Sequence, residues 1–174
     1  MPTTFERLLG RLRGLVRGTS TAPARRQDAR VRAGRPSEAG YPGDATRVPD
    51  AVYAPKPDGR PDPGEIVWTW VPYEEDHSQG KDRPVLIVGR DGEWLVGLPL
   101  TSKDHDRDEQ QERRSGREWV DIGSGAWDRQ GRPSEVRVNR LVRVDPDGVR
   151  REGAVLPRDR YDEVVSAVRA HHRG

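Results

Sequence analysis

The stretch GKDRPVLIVGRDGEWLVGLPLTS, residues 80–102, decides the fold of this 174-residue chain. It contains two apolar runs, 85–88 and 94–98, on either side of the glycine-containing turn GRDG at 89–92. Strands favour β-branched and aromatic residues, and short glycine-containing connections join antiparallel neighbours. The stretch therefore predicts a β-hairpin whose two strands belong to the core.

The two open ends of this hairpin are polar. Arg83 precedes the first strand, and Thr101 and Ser102 follow the second, so pairing through the turn brings them to the same side of the sheet. A guanidinium offers a planar fork of donors for phosphate oxygens, and a hydroxyl donates to another. The competing interpretation is an ordinary ion pair of Arg83 with Asp82 or Glu75 at a solvated rim.

The composition excludes several classes of protein. Only 32% of the residues are hydrophobic and 34% are charged, and there is no cysteine, which excludes disulfides and thiolate metal sites. No apolar stretch approaches the ~20 residues of a membrane-spanning helix, so no transmembrane segment is expected. The four histidines lack ligand spacing, which predicts no metal site. Arginines interrupt any signal-like region near the beginning, and we expect a cytoplasmic protein.

The chain divides into three parts by composition. Residues 1–18 have helical apolar spacing with arginines on the other side, and predict a short basic amphipathic helix. That helix either anchors the chain to a membrane surface or nucleic acid, or is marginal and docks on its own domain. Residues 19–62 are rich in Pro, Gly, Ala, Arg and Asp and predict a disordered linker. Residues 1–62 contain 12 basic and 7 acidic residues, a basic tail of net charge +5, before a domain at 63–174.

The domain alternates short strand patterns with polar connections. Strands are predicted at 63–73, 84–89, 93–100, 118–122 and 134–145, with a bulge or bend at Asn139-Arg140, and an amphipathic helix follows Pro157. Five or six short strands with short connections cannot form a parallel sheet. We therefore expect a mainly β fold, a small antiparallel barrel with a C-terminal helix.

Two long polar loops, 74–82 and 102–117, flank the hairpin ends. Their basic residues predict a rim with electrostatic affinity for single-stranded RNA, and Ser102 belongs to the same rim. The basic residues are Lys81, Arg83, Lys103, Arg107, Arg113, Arg114 and Arg117. Aromatic residues near the loops could stack on bases, namely Trp70, Tyr73, Trp119 and Trp127. For Trp68, Trp70 and Trp119 a place in the barrel core is the competing interpretation.

Four segments, taken in order, carry a recognisable pattern: PGEIVWTWVPY (63–73), QGKDRPVLIV (79–88), LPLTS (98–102) and SEVRVNRLVRVD (134–145). Together they resemble the MazF/PemK family of toxin endoribonucleases from type II toxin–antitoxin modules. The first segment resembles the family's opening Gly-Asp/Glu-Ile-Val-Trp strand, and the second resembles its Gln-Gly-x-x-Arg-Pro-x-x-Val-Val segment. The third is similar to its hydrophobic-Pro-hydrophobic-Thr strand end, and the fourth to its terminal strand pair before the last helix.

The resemblance implies an SH3-like barrel that forms a homodimer, with Arg83 and Thr101 as the catalytic pair. It implies cleavage of single-stranded RNA without metal or cofactor, by attack of a ribose 2′-hydroxyl on its own phosphorus. It also implies a cognate antitoxin as partner and operator DNA as the target of the toxin–antitoxin complex. Arg83 is expected to stabilise negative charge because a guanidinium stays protonated.

One position departs from the family pattern. Some members carry a glutamate five residues before the arginine, where this chain has Ser78. Ser78 and His77 complete the candidate catalytic set, and His77 has the ordinary pKa best suited to proton transfer. Glu74, Glu75 and Asp76 are further substitutes for the missing carboxylate. The departure keeps open a second function, a non-catalytic SH3-like module that binds nucleic acid or protein.

Overall fold

The computed structural model describes residues 40–102 and 116–173. The predicted helix at 1–18 and the linker up to residue 39 lie outside these ranges. So do four of the predicted RNA-binding residues, Lys103, Arg107, Arg113 and Arg114.

The described residues form seven strands and one α-helix. The strands are β1 Glu65–Pro72, β2 Gly80–Asp91, β3 Trp94–Ser102, β4 Trp119–Gly123, β5 Ser134–Arg137, β6 Val142–Val144 and β7 Arg151–Val155. A 3₁₀ turn at Pro146–Gly148 precedes β7, and the helix α1 Arg158–His171 follows it. Within the described ranges, no helix combines the length and the apolar character that crossing a membrane requires.

The strands form one antiparallel sheet, curled into a half-barrel, in the order β4-β5-β3-β2-β1-β7. The strand β6 also pairs with β3, along Leu95–Gly97, whereas β5 pairs with Leu100–Ser102. The predicted hairpin is its centre: β2 and β3 pair from Val85 opposite Pro99 to Asp91 opposite Trp94. The predicted bend in 134–145 appears as the break between β5 and β6. The fold class, mainly β with a small antiparallel barrel and a C-terminal helix, is confirmed. The strand β7 was not predicted.

Both faces of the sheet are covered by apolar side chains. One face packs against α1, which contributes Tyr161, Val164, Val165 and Val168. The other face carries a smaller cluster of seven buried aliphatic residues, which includes Val67, Val85 and Ile87. The alternation of the strands thus divides their side chains between two cores.

The prediction of a disordered linker up to residue 62 is wrong for residues 40–62, which we call the strap. Ala45 is buried in the core, and its backbone N–H donates to the carbonyl of Leu141 at 2.7 Å. The Tyr53 hydroxyl donates to the carbonyl of Leu156 at 2.8 Å, and its ring contacts Tyr161. Disorder was predicted because this segment has few apolar residues. A few aromatic and small residues are nevertheless enough to dock the strap on the sheet.

Candidate active site

The sheet forks where the sequence predicted a site. Beyond the Val85–Pro99 pair, β2 continues to pair with β1, with Arg83 opposite Thr69. The end of β3 pairs instead with β5, with Thr101 opposite Glu135. A cleft of about 240 Å³ lies at this fork, and both Arg83 and Thr101 line it.

Arg83 is half-buried beside other cations. No hydrogen bond or ion pair joins its guanidinium to another residue in the described part of the chain. Burial lowers the pKa of Arg83, and the positive charges of Arg140, Arg117 and Arg137 lower it further, against an opposite effect of Tyr73. The group still stays protonated, since arginine does not lose its proton in proteins. A desolvated cation among cations is suited to bind an anion.

Arg83 and Thr101 lie on the same face of the sheet. Val85 and Pro99 are cross-strand partners, and each candidate lies two residues further along its strand. The Thr101 hydroxyl makes no side-chain hydrogen bond to a described residue. The prediction that the two candidates meet at one concave rim agrees with this geometry.

Glu135 is a residue that the sequence reasoning missed. Its register opposite Thr101 places its half-buried side chain on the face of Arg83 and Thr101. Asp121 pairs with Glu135 from β4, so two carboxylates follow Thr101 across neighbouring strands. Its position depends on the pairing of β3 with β5, which no pattern in the sequence indicated.

The other arginines near the fork are paired. Arg137 Nη1 lies 2.9 Å from Glu74 Oε2, and this arginine lowers the pKa of Glu74 through a hydrogen bond and its charge. Arg140 Nε donates to Asp44 Oδ2 at 2.8 Å, and its Nη2 donates to the carbonyl of Pro72 at 2.9 Å. Asp44 belongs to the strap, which therefore holds one arginine of this cationic group.

The two loop candidates for proton transfer lie elsewhere. His77 is exposed and its ring makes an edge contact with Tyr41 of the strap, 5.0 Å between centroids. The Ser78 hydroxyl donates to Asp76 Oδ1 at 2.6 Å. Neither residue lines the cleft of Arg83 and Thr101. The structure therefore does not bring His77 or Ser78 together with the other two candidates.

Three predicted RNA-binding residues fall within the described ranges. Lys81 and Ser102 line the cleft. Arg117 does not line it, but its charge is near enough to lower the pKa of Arg83. Among residues 40–102 and 116–173, no group of three or more His, Asp or Glu is placed to hold a metal ion.

The second wall of the cleft comes from β1 and the β4–β5 connection. Because neighbours on a strand face opposite ways, a cleft lined by both Arg83 and Pro84 reaches both faces of the sheet. On the second face it is lined by Trp68, Trp127, Asp128, Arg132 and Ser134. The other proposed stacking residues, Trp70, Tyr73 and Trp119, do not line it.

Comparisons of this chain with solved structures found the following similarities. An endoribonuclease in complex with its cognate antitoxin, from a mycobacterial species, is 14% identical and has a TM-score of 0.45, over 64% of this chain and 93% of that one. Two crystal forms of MazE–MazF from Deinococcus radiodurans are 19% and 22% identical with TM-scores of 0.42, over 63% of this chain and 94% and 93% of those chains.

No curated protein matches the sequence. The model of the family described as PemK-like, MazF-like toxin of type II toxin–antitoxin system matches residues 62–172. That range includes the fork, the cleft and every strand of the sheet. The chain belongs to the PemK-like, MazF-like toxin family of type II toxin–antitoxin systems.

Proposed function

We propose that this chain is an endoribonuclease toxin that cleaves single-stranded RNA, such as mRNA, at the forked cleft. The ribose 2′-hydroxyl attacks the adjacent phosphorus, the 5′-oxygen leaves, and a 2′,3′-cyclic phosphate forms. No metal or cofactor is required for this reaction. The observation that carries the proposal is Arg83, a half-buried guanidinium without a described partner, on the same face as Thr101.

Arg83 stabilises the charge that develops on the phosphoryl oxygens in the transition state. A preorganised donor in a partly desolvated site is stronger than the same donor in water, and loss of one such donor typically costs about 10²–10³-fold in rate. Arg117, Arg137 and Arg140 strengthen the local positive potential. The Thr101 hydroxyl donates a second hydrogen bond to the same phosphate.

The 2′-hydroxyl needs a proton acceptor, and Glu135 is better placed for this role than His77. Neither residue lines the cleft, but Glu135 lies directly opposite Thr101 in the sheet, whereas the His77 ring contacts Tyr41 of the strap. Cleavage by Glu135→Gln, which removes the proton acceptor but keeps the size of the side chain, should fall at least tenfold. His77→Ala should cleave like the parent protein. The reverse pattern would return the role to His77.

Membership of the toxin family supports the proposed partners. The cognate antitoxin would cover the cleft and block RNA, and the complex would bind operator DNA. Two copies of the toxin would associate as a homodimer. A toxin that cleaves mRNA would act in the cytoplasm. The residues that would contact the RNA backbone are Lys81, Ser102 and Arg117, together with Lys103, Arg107, Arg113 and Arg114, which lie outside the described residues.

The direct test is cleavage of an RNA oligonucleotide in the presence of a chelator. The parent protein should cut it and leave a cyclic phosphate, and one 2′-deoxy substitution at the cut position should abolish that cut. Thr101→Val should slow cleavage, while Thr101→Ser, which keeps the hydroxyl, should retain it. The exposed Arg90→Ala variant serves as the control for general loss of positive charge.

Cleavage that survives the 2′-deoxy substitution would contradict the proposed reaction. Binding of RNA without any cleavage would instead support the second function, a nucleic-acid-binding module on the same fold. The departure at Ser78 favours that second function, because the family glutamate is missing from this loop.

A further inference from the structure

The second wall of the cleft contains aromatic residues and an ion pair, which the binding of a phosphate group does not require. It combines two indole rings with the ion pair of Asp128 and Arg132, whose Nε lies 2.8 Å from Asp128 Oδ2. Phosphate groups need donors, which Arg83 and Lys81 already supply on the face of the sheet that carries Thr101. Aromatic rings with a few oriented polar groups are instead the usual surroundings of a nucleobase.

This wall is held rigidly by hydrogen bonds. Trp68 Nε1 donates to the carbonyl of Trp127 at 3.2 Å, and Trp127 Nε1 donates to Ser134 Oγ at 3.1 Å. A Cβ at Gly125 would lie 2.1 Å from the Trp127 ring, so only glycine allows the connection to pass so close to the indole. The positions of both rings are therefore set before any ligand binds.

The ion pair is fixed in the same way. Asp128 Oδ1 accepts from the backbone N–H of Gln130 at 2.8 Å, and its Oδ2 accepts from Arg132. The Asp128 side chain is 11% exposed, whereas that of Arg132 is 38% exposed. A buried carboxylate thus orients a more accessible guanidinium at the edge of the cleft. An oriented guanidinium is the group that most often reads guanine, through O6 and N7.

We propose that this second wall, Trp68, Trp127, Asp128 and Arg132, is a guanine-binding subsite next to the scissile phosphate. The base stacks on Trp68 and its O6 and N7 accept hydrogen bonds from Arg132. The cleft volume of about 240 Å³ is below the roughly 300–1,000 Å³ of sites for drug-sized ligands, which suits a single base. The inference rests on the proposed function for its reaction, but it concerns recognition rather than cleavage.

The first test is cleavage of a randomised RNA library by the parent protein and by Arg132→Ala. The parent should require guanine at one position beside the cut, and the variant should lose about tenfold of that preference, as expected for one guanidinium–guanine contact. Arg132→Lys keeps the charge but not the planar fork, so it should lose the preference as well. Arg90→Ala is the matched control, and thermal melts of each variant verify folding.

The second test does not depend on cleavage. A 2′-deoxy oligonucleotide with one guanine should bind the parent protein about tenfold more tightly than the same strand with 7-deazaguanine, which lacks the N7 acceptor. Arg132→Ala should bind both strands equally, and the exposed control variant Arg90→Ala should retain the difference.

The outcomes separate the two proposals. An unchanged preference in a folded, cleaving Arg132→Ala variant, or a preference for another base at that position, would overturn the guanine subsite alone. Guanine-dependent binding without any cleavage would overturn the endoribonuclease and leave the subsite standing. Equal binding of both strands by the parent protein would also overturn the subsite.

Discussion

Arg83 and Arg140 are arginines of one cationic group with opposite surroundings. Arg140 is 8% exposed, and its guanidinium is bound by the strap carboxylate of Asp44 and by a backbone carbonyl. Arg83 is half-buried, yet no described residue offers it an acceptor. A paired buried arginine stabilises the fold it belongs to, whereas an unpaired one is a cost that a bound anion can offset.

The contrast explains how a chain with few apolar residues can hold several arginines close together beside the cleft. Arg137 forms an ion pair with Glu74, and Arg140 forms one with Asp44. These carboxylates offset the repulsion between the arginines in the folded sheet. Of these three arginines, Arg83 alone has no acceptor among residues 40–102 and 116–173. We therefore expect stability to depend on Arg137 and Arg140 and activity to depend on Arg83.

The largest effect on stability is expected for Arg140→Met. The substitution removes the guanidinium donor from the Pro72 carbonyl and from Asp44, which keeps only the Tyr41 hydroxyl, and breaking such a pair costs about 3 kcal/mol. Urea unfolding should show this loss, while the exposed Arg90→Met control stays within about 0.5 kcal/mol of the parent. An Arg140→Met protein as stable as the parent would show that the strap does not depend on this pair.

A smaller effect is expected from inorganic phosphate. If Arg83 binds an anion in the native state only, phosphate at about ten times its dissociation constant should stabilise the parent protein by about 1.4 kcal/mol. The expected readout is a rise in melting temperature that Arg83→Met abolishes and Arg90→Met retains. Sodium chloride at equal ionic strength controls for screening. An equal rise in all three proteins would place the anion elsewhere.

The smallest effect concerns Glu74. Its pKa is lowered by Arg137, so its contribution to stability is present above the ordinary glutamate pKa of 4.5 and is lost as the pH falls through the lower folded value. Because its side chain is 49% exposed, the contribution should stay below about 1 kcal/mol. Glu74→Gln should therefore be slightly less stable at pH 7 and equal to the parent near pH 2. A deficit that persists at pH 2 would mean that packing, not charge, is involved.

The sequence predicted the parts of this molecule that depend on local pattern. The hairpin, the break at Asn139-Arg140 and the closing helix follow from strand and helix periodicity, and the two ends of the hairpin met as expected. The strap was missed because its docking depends on a few contacts, such as that of Tyr53 with Leu156, that span about a hundred residues.

The site was predicted in part for the same reason. Arg83 and Thr101 are brought together by adjacent strands, which the hairpin made visible. The position of Glu135 opposite Thr101 depends on the pairing of β3 with β5, and Arg132 joins Arg83 only as a second lining residue of the cleft. His77 was chosen for its ordinary pKa, which says nothing about where its loop folds.

The most direct test measures unfolding and RNA cleavage on one preparation of Arg83→Met. We expect cleavage to fall at least about 100-fold while the unfolding temperature equals or exceeds that of the parent. The variant removes both the proposed donor for the transition state and a half-buried charge that has no partner among the described residues. A variant that cleaves RNA at the parental rate, or that loses several kcal/mol of stability, would contradict it.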